Sequence, residues 1–264
     1  MKTTYPTFRL PRSPLADLQF GRDNFTATTL QEVSAIGGMW SVASQWDPSK
    51  GPLQLRGFDI RPSELPGHGL RTAMGLDSLS IEDCIMDKVE ELRSFRNPVP
   101  IVAHSLGCII AIKVAEIIPE KVTGVICMAH APIGNIRLPA RNMLRLAKPR
   151  YLQALFGQSF TLSERDASFV ADGSDAPLGP ESGTILRQVS LGYWVPKLSE
   201  LKCKSALMIP MDDLVVPSKT ALRIASYHGV NPIAVNGGHF AFYDKKTREP
   251  VLEMISRTLR SWMQ

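Results

Sequence analysis

Cysteine is scarce in this chain of 264 residues, which has four, at positions 84, 108, 127 and 203. They are scattered through apolar stretches and no two form a CxxC pair. That spacing argues against a disulfide framework or a cysteine zinc module, and predicts reduced, buried thiols in a cytoplasmic protein. Aromatics make up only 7% of the chain. No Lys/Arg tract is interleaved with them, so the net charge of +5 and the pI of about 9.1 do not point to nucleic acid. The opening MKTTYPTFRLPRSPL lacks an apolar segment followed by a small-residue cleavage site, so no secretion signal is expected. No apolar run is long enough to span a bilayer.

What the chain does have is apolar mass in short, punctuated runs. Hydrophobic residues are 44% of the total, enough for a substantial core. Residues 1–30 show no period. From there strands and helices alternate. Strands are predicted over 32–36, 53–60, 99–104, 122–128, 205–211 and 232–236. Helices are predicted over 80–95, 106–118, 217–227 and 251–262. In the first of these helices Ile81, Cys84, Ile85, Val89 and Leu92 fall at helical spacing. The continuous apolar run at 99–104 predicts a strand buried on both faces. Such alternation implies an α/β fold: a mostly parallel central sheet with helices on both faces. Residues 131–200 interrupt it with a helical stretch at 137–156 and a Gly/Pro/Ser/Asp loop at 171–183. This insertion is read as a helical lid on a single domain of residues 1–264, with its core at about 32–130 and 201–264.

Chemistry concentrates in IVAHSLGC, residues 101–108. Ser105 stands where a buried strand turns into a helix. A turn that sharp strains the serine backbone and demands small residues two places before and after, here Ala103 and Gly107. It projects the hydroxyl from the C-terminal edge of the sheet and aims the N–H of Leu106, at the helix start, toward the same place. Serine needs a base to become a nucleophile, and the base needs a carboxylate to orient it. MIPMDDLVVP offers Asp212 or Asp213 after one strand, and NGGHF offers His239 after the next. Parallel strands bring all three loops to the same edge.

On IGGMW, ELPGHG, AHSLG, DDLVVP and GGHF the chain resembles the α/β-hydrolase superfamily over about residues 32–264. The resemblance implies an α/β-hydrolase fold and a Ser105–Asp213–His239 triad, since the family's Asp-x-x-Val-Pro selects Asp213 with Val216 and Pro217. It implies an oxyanion loop at 36–40, where Gly37 replaces the usual histidine and the N–H of Met39, or failing that Gly38, joins that of Leu106. Met39, Trp40, Leu106 and apolar lid residues would wall a hydrophobic acyl pocket. The function implied is cleavage of a carboxylic ester of a hydrophobic acyl group, with no cofactor and no metal. ELPGHG, AHSLG and GGHF also resemble type II thioesterases, so a thioester on a carrier protein or CoA is the nearest alternative substrate. A ligand receptor or a non-hydrolytic enzyme on the same scaffold is the alternative of another class.

Five basic residues in the insertion, Arg137, Arg141, Arg145, Lys148 and Arg150, have no acid among them. Arg137, Arg141 and Arg145 share one helix face, which suits either plain solvation or contact with an acidic carrier protein or an anionic lipid surface. Among the remaining histidines, His68, His104 and His228 are read as structural, and His130 as a candidate for the pocket wall.

Overall fold

The computed structural model describes residues 30–139, 142 and 152–263. Six strands form one sheet: β1 (Gln31–Ile36), β2 (Phe58–Ser63), β3 (Val99–His104), β4 (Val122–Met128), β5 (Lys204–Pro210) and β6 (Ile233–Val235). Their spatial order is β2-β1-β3-β4-β5-β6, and every pairing is parallel. β3, in the middle, is buried at all of its positions, which requires cover on both faces.

Eight α-helices lie among the described residues: α1 (Asp47–Leu55), α2 (Ile81–Ser94), α3 (Leu106–Ile117), α4 (Leu152–Leu155), α5 (Glu164–Ala171), α6 (Gly183–Leu191), α7 (Ser218–His228) and α8 (Arg248–Met263). α3 is apolar nearly all round and buried along most of its length, between α2 and the sheet. α2 starts on a capping box in which Ser80 and Asp83 satisfy each other's backbone N–H. α1 rests on β2 and α8.

One predicted strand, 53–60, is wrong in its first half. Leu53, Leu55, Phe58 and Ile60 look like strand alternation, but Leu53 and Leu55 end helix α1, and the strand begins at Phe58. Pro48 sits at the start of α1, where a missing N–H costs nothing. The Ser49 hydroxyl then ties the helix to the Phe242 carbonyl at 3.0 Å. In the long connection from β4 to β5, the loop expected at 171–183 runs from the end of α5 to the start of α6. Arg141, Arg145, Lys148 and Arg150, and residues 1–29, lie outside the described residues.

Because all six strands run the same way, the loops after β1, β3, β5 and β6 emerge at one edge. Those loops carry residues 37–40, Ser105, Asp213 and His239.

Candidate active site

Ser105 occupies the joint between β3 and α3 with φ 53° and ψ −116°, a conformation a non-glycine residue adopts only under constraint. Three features impose it. The Ser105 N–H donates to the Met128 carbonyl at 2.9 Å, and the Ser105 carbonyl accepts from the Ala131 N–H at 3.2 Å, so β4 grips the turn on both sides. Gly107 lies against the end of β1: a Cβ there would come within 2.6 Å of the Ile36 carbonyl oxygen. Gly38 meets Ser105 from the other side, where a Cβ would stand 2.7 Å from that of Ser105. The serine side chain makes no cap bond to α3, which leaves its hydroxyl uncommitted to the helix.

Asp213 and His239 meet in the loops after β5 and β6. The Nδ1–H of His239 donates to Asp213 Oδ2 at 2.8 Å, and both side chains are buried. Asp213 Oδ1 is held in turn by the N–H groups of Val215 and Val216, each at 2.8 Å. This fixes the tautomer: with the proton on Nδ1, Nε2 is left with its lone pair free to act as a base. Asp212 is exposed and accepts from the Gly237 N–H of the loop after β6 at 3.3 Å. The geometry therefore links Asp213, and not Asp212, to the imidazole.

The loop after β1 disposes of its N–H groups one by one. Gly38 N–H donates to Ser41 Oγ at 2.8 Å, and Trp40 N–H to Glu181 Oε2 at 2.9 Å. Among the described residues no acceptor takes the Met39 N–H, which lies between them. The two bonds distinguish Met39 from Gly38 as the available donor.

A narrow, mostly apolar pocket opens onto these groups. Ser105, His239, Met39 and Trp40 border it, and Leu138, Phe169, Val170, Leu186, Val189 and Val216 make most of its wall apolar. Four loops from separate strands and the β4–β5 connection thus close on one greasy chamber with a serine and an imidazole at its surface. Among the described residues no three His, Cys, Asp or Glu side chains gather to hold a metal ion.

The model of the alpha/beta hydrolase family matches residues 36–251. The chain belongs to that family. Among solved structures, it is similar to an extracellular alpha/beta-hydrolase from a Paenibacillus species, with 16% identity and a TM-score of 0.66 over 86% of this chain and 98% of that one. It is also similar to the monoacylglycerol lipase of Paleococcus ferrophilus, with 18% identity and a TM-score of 0.60 over 88% and 94%. A pyrethroid hydrolase shares 17% identity, with a TM-score of 0.64 over 88% and 98%. At such identities these likenesses speak for the fold alone. Among functionally curated proteins none matches the chain.

In this alpha/beta hydrolase one of the remaining histidines braces the site. The Nε2–H of His104 donates to the His239 carbonyl at 2.9 Å, so the residue before the serine holds the loop of the imidazole. Burial, followed by the nearness of His239, pushes His104 well below its ordinary pKa, and it is neutral. His130 does not border the cavity. It pairs instead with the buried His228, Nε2 to Nε2 at 3.2 Å. His130 Nδ1–H donates to the Ala131 carbonyl at 2.6 Å, while His228 Nδ1 accepts from the Leu198 N–H at 3.2 Å. Both tautomers follow: His228 donates through Nε2–H to the bare Nε2 of His130.

Two braces in the β4–β5 connection escape a reading of the sequence. Asp172, left-handed at the end of α5, accepts from the His239 N–H at 2.9 Å and the Leu214 N–H at 3.1 Å with the same oxygen. Burial raises its pKa, and those two N–H groups work against that rise. Asn142 donates to the carbonyls of Leu214 and Val215 at 2.9 and 3.0 Å. The partners of these side chains are 42 to 73 residues away along the chain. No local spacing announces them.

Proposed function

We propose that this protein is a serine hydrolase that cleaves a carboxylic ester of a hydrophobic acyl group through an acyl-enzyme on Ser105. The observation that carries the reading is the 2.8 Å bond from His239 Nδ1 to Asp213, in a loop whose imidazole borders the same cavity as the strained serine. In the proposed cycle His239 Nε2 takes the Ser105 proton as Oγ attacks the ester carbonyl. The N–H groups of Met39 and Leu106 receive the oxyanion, each donor contributing about 3 kcal/mol at comparable sites. His239 then gives its proton to the departing alkoxide. Water, deprotonated by the same imidazole, releases the acid and restores the serine.

The apolar cavity wall supports an alkyl or aryl acyl group as the part that is buried. The connection between β4 and β5 serves as the lid in this reading. The four cysteines, none of them in a disulfide, fit a reducing compartment such as the cytoplasm. Of the basic series in the insertion, Arg137 is described, and its guanidinium is engaged by the carbonyls of Gly134 and Leu191. An acidic carrier or an anionic lipid surface as partner would depend on the others.

Ser105→Ala is expected to abolish turnover of p-nitrophenyl esters and labelling by a fluorophosphonate while the thermal melt stays that of the wild type. Wild-type turnover in that variant would end the assignment. Raising the salt from 0.05 to about 0.5 M separates the thioester alternative: hydrolysis of an acyl-carrier thioester would weaken as charges are screened, and that of a free ester would not.

A further inference from the structure

Behind the loop that follows β1 lies a buried pair that the cycle above does not use. Glu181 and His68 are both closed off from solvent, with Oε1 and Nε2 3.2 Å apart. Glu181 belongs to the β4–β5 connection and His68 to the ELPGHG turn. The other carboxylate oxygen of Glu181 accepts the Trp40 N–H at 2.9 Å. Two residues earlier, the Gly179 N–H donates to the Trp40 carbonyl at 2.8 Å. Trp40 itself stands at φ 58°, in the left-handed region that a bulky side chain avoids unless held there. Its ring sits edge-on to Phe160 of the same connection, with centroids 6.0 Å apart.

The peptide between Met39 and Trp40 is therefore fixed by a carboxylate, and so is the adjoining rotation at Met39. That rotation sets where the Met39 N–H points. We propose that Glu181, steadied by His68, is a positioning residue for the oxyanion loop: it aims the Met39 N–H at the cavity without touching the substrate. The inference rests on the hydrolase reading above.

The hydrogen bonds of the pair also show where a proton must be. His68 Nδ1 lies 2.8 Å from the Pro66 carbonyl, which only accepts, so Nδ1 carries a proton. A neutral ring would then turn its Nε2 lone pair toward the carboxylate. One further proton on Nε2 turns that repulsion into the attraction of an ion pair, across the 3.2 Å between Nε2 and Oε1. The charges around the pair favour keeping it. Burial, the largest single influence, works to strip the imidazolium, but Glu181, the Pro66 carbonyl and Glu64 of the same turn together outweigh it, and the net shift is upward. Cys84 of α2 also faces Glu181, and burial raises its thiol so far that it stays neutral. The N–H of Ser182 donates to Glu181 Oε1 at 2.7 Å. Loss of that proton as the pH rises sets a lone pair against a carboxylate, and the loop is expected to loosen.

The test measures p-nitrophenyl ester kcat and KM from pH 6 to 10 for the wild type, Glu181→Ala and His68→Gln, with a thermal melt of each. Glu181→Ala is expected to lose about 30-fold in kcat, less than outright removal of an oxyanion donor, with KM little changed. His68→Gln offers Glu181 an amide N–H that does not titrate. It is expected to keep more of the activity and to lose the fall in kcat with rising pH that is expected of the wild type. A folded Glu181→Ala with wild-type kcat overturns the inference. If that variant does not fold, an alkaline profile of His68→Gln identical to the wild type overturns it instead. Absence of any Ser105-dependent turnover in the wild type would bring down the hydrolase reading and this inference together, whereas intact turnover with unmoved variants brings down this one alone.

Discussion

Asp172→Ala removes a side chain that touches both the loop of the imidazole and the loop of its acid. One oxygen accepts two N–H groups, from His239 at 2.9 Å and Leu214 at 3.1 Å. Hydrogen bonds to a charged acceptor contribute about 1.5–3 kcal/mol each when buried. Asp172 is only half-buried, so about 1 kcal/mol each is a fair reduction. Alanine at φ 54° adds about 1 kcal/mol of backbone cost. The sum is about 3 kcal/mol, or a fall of about 6–12 °C in Tm for a domain of this size. Asparagine is the instructive contrast. Its amide oxygen can take the place of Oδ2 and accept both N–H groups, and it tolerates the left-handed backbone. Asp172→Asn is therefore expected to melt within about 2 °C of the wild type and to keep most of its kcat. Asp172→Ala is expected to lose about tenfold in kcat through a misplaced imidazole. Differential scanning calorimetry and p-nitrophenyl ester kinetics on the three proteins decide the matter. Equal damage from both substitutions would show that the charge, and not the pair of hydrogen bonds, is what counts, and would refute the reasoning.

Asp213→Asn is expected to cut kcat by about 10³–10⁴ by presenting the imidazole with the wrong partner, while Asp212→Asn, at an exposed carboxylate, leaves it within about threefold; the reverse ranking in steady-state kinetics would move the acid by one residue. The buried pair His130 and His228 makes the protein sensitive to acid. Burial lowers their pKa values to about 4 and about 2. Both therefore bind fewer protons folded than unfolded, where the ordinary value is about 6.5. Their contribution to stability is complete above about pH 6.5 and is lost as the pH falls toward the folded values. Between pH 7 and 5 each, taken singly, costs about 2 kcal/mol, so the urea midpoint is expected to drop over that interval, and a flat midpoint would contradict the assignment of neutral rings.

Elements whose cause is local were plain in the sequence. β3 and β4 are short continuous apolar runs, and β4 begins and ends at the predicted residues. α2 carries its own cap and apolar stripe. The joint at Ser105 needs small neighbours two residues away on each side, and Ala103 and Gly107 provide them. Elements whose cause is tertiary were hidden. α1 contains Gly51 and Pro52 and earns its helix by resting on β2 and α8, so its Leu53 and Leu55 mimicked a strand. The sequence also left Met39 and Gly38 as rivals for the same role. They differ only in what else takes their N–H groups, and Ser41 Oγ and Glu181 become visible as acceptors once the chain is folded. Asp172 and Glu181 show the same limit: a carboxylate in a loop looks solvated until its distant partner is known.

The connection between β4 and β5 reaches the sheet edge through two acids, one on the loop of Trp40 and one on the loop of His239. It is thus not an interchangeable module. A chimera carrying a foreign segment between these strands would alter which substrates enter and, unless an acid were replanted at positions 172 and 181, would set two loops of the sheet edge adrift at once. Under the proposed function, selectivity and turnover would be tied to the same stretch of chain, and a library that randomises it should hold those two positions constant.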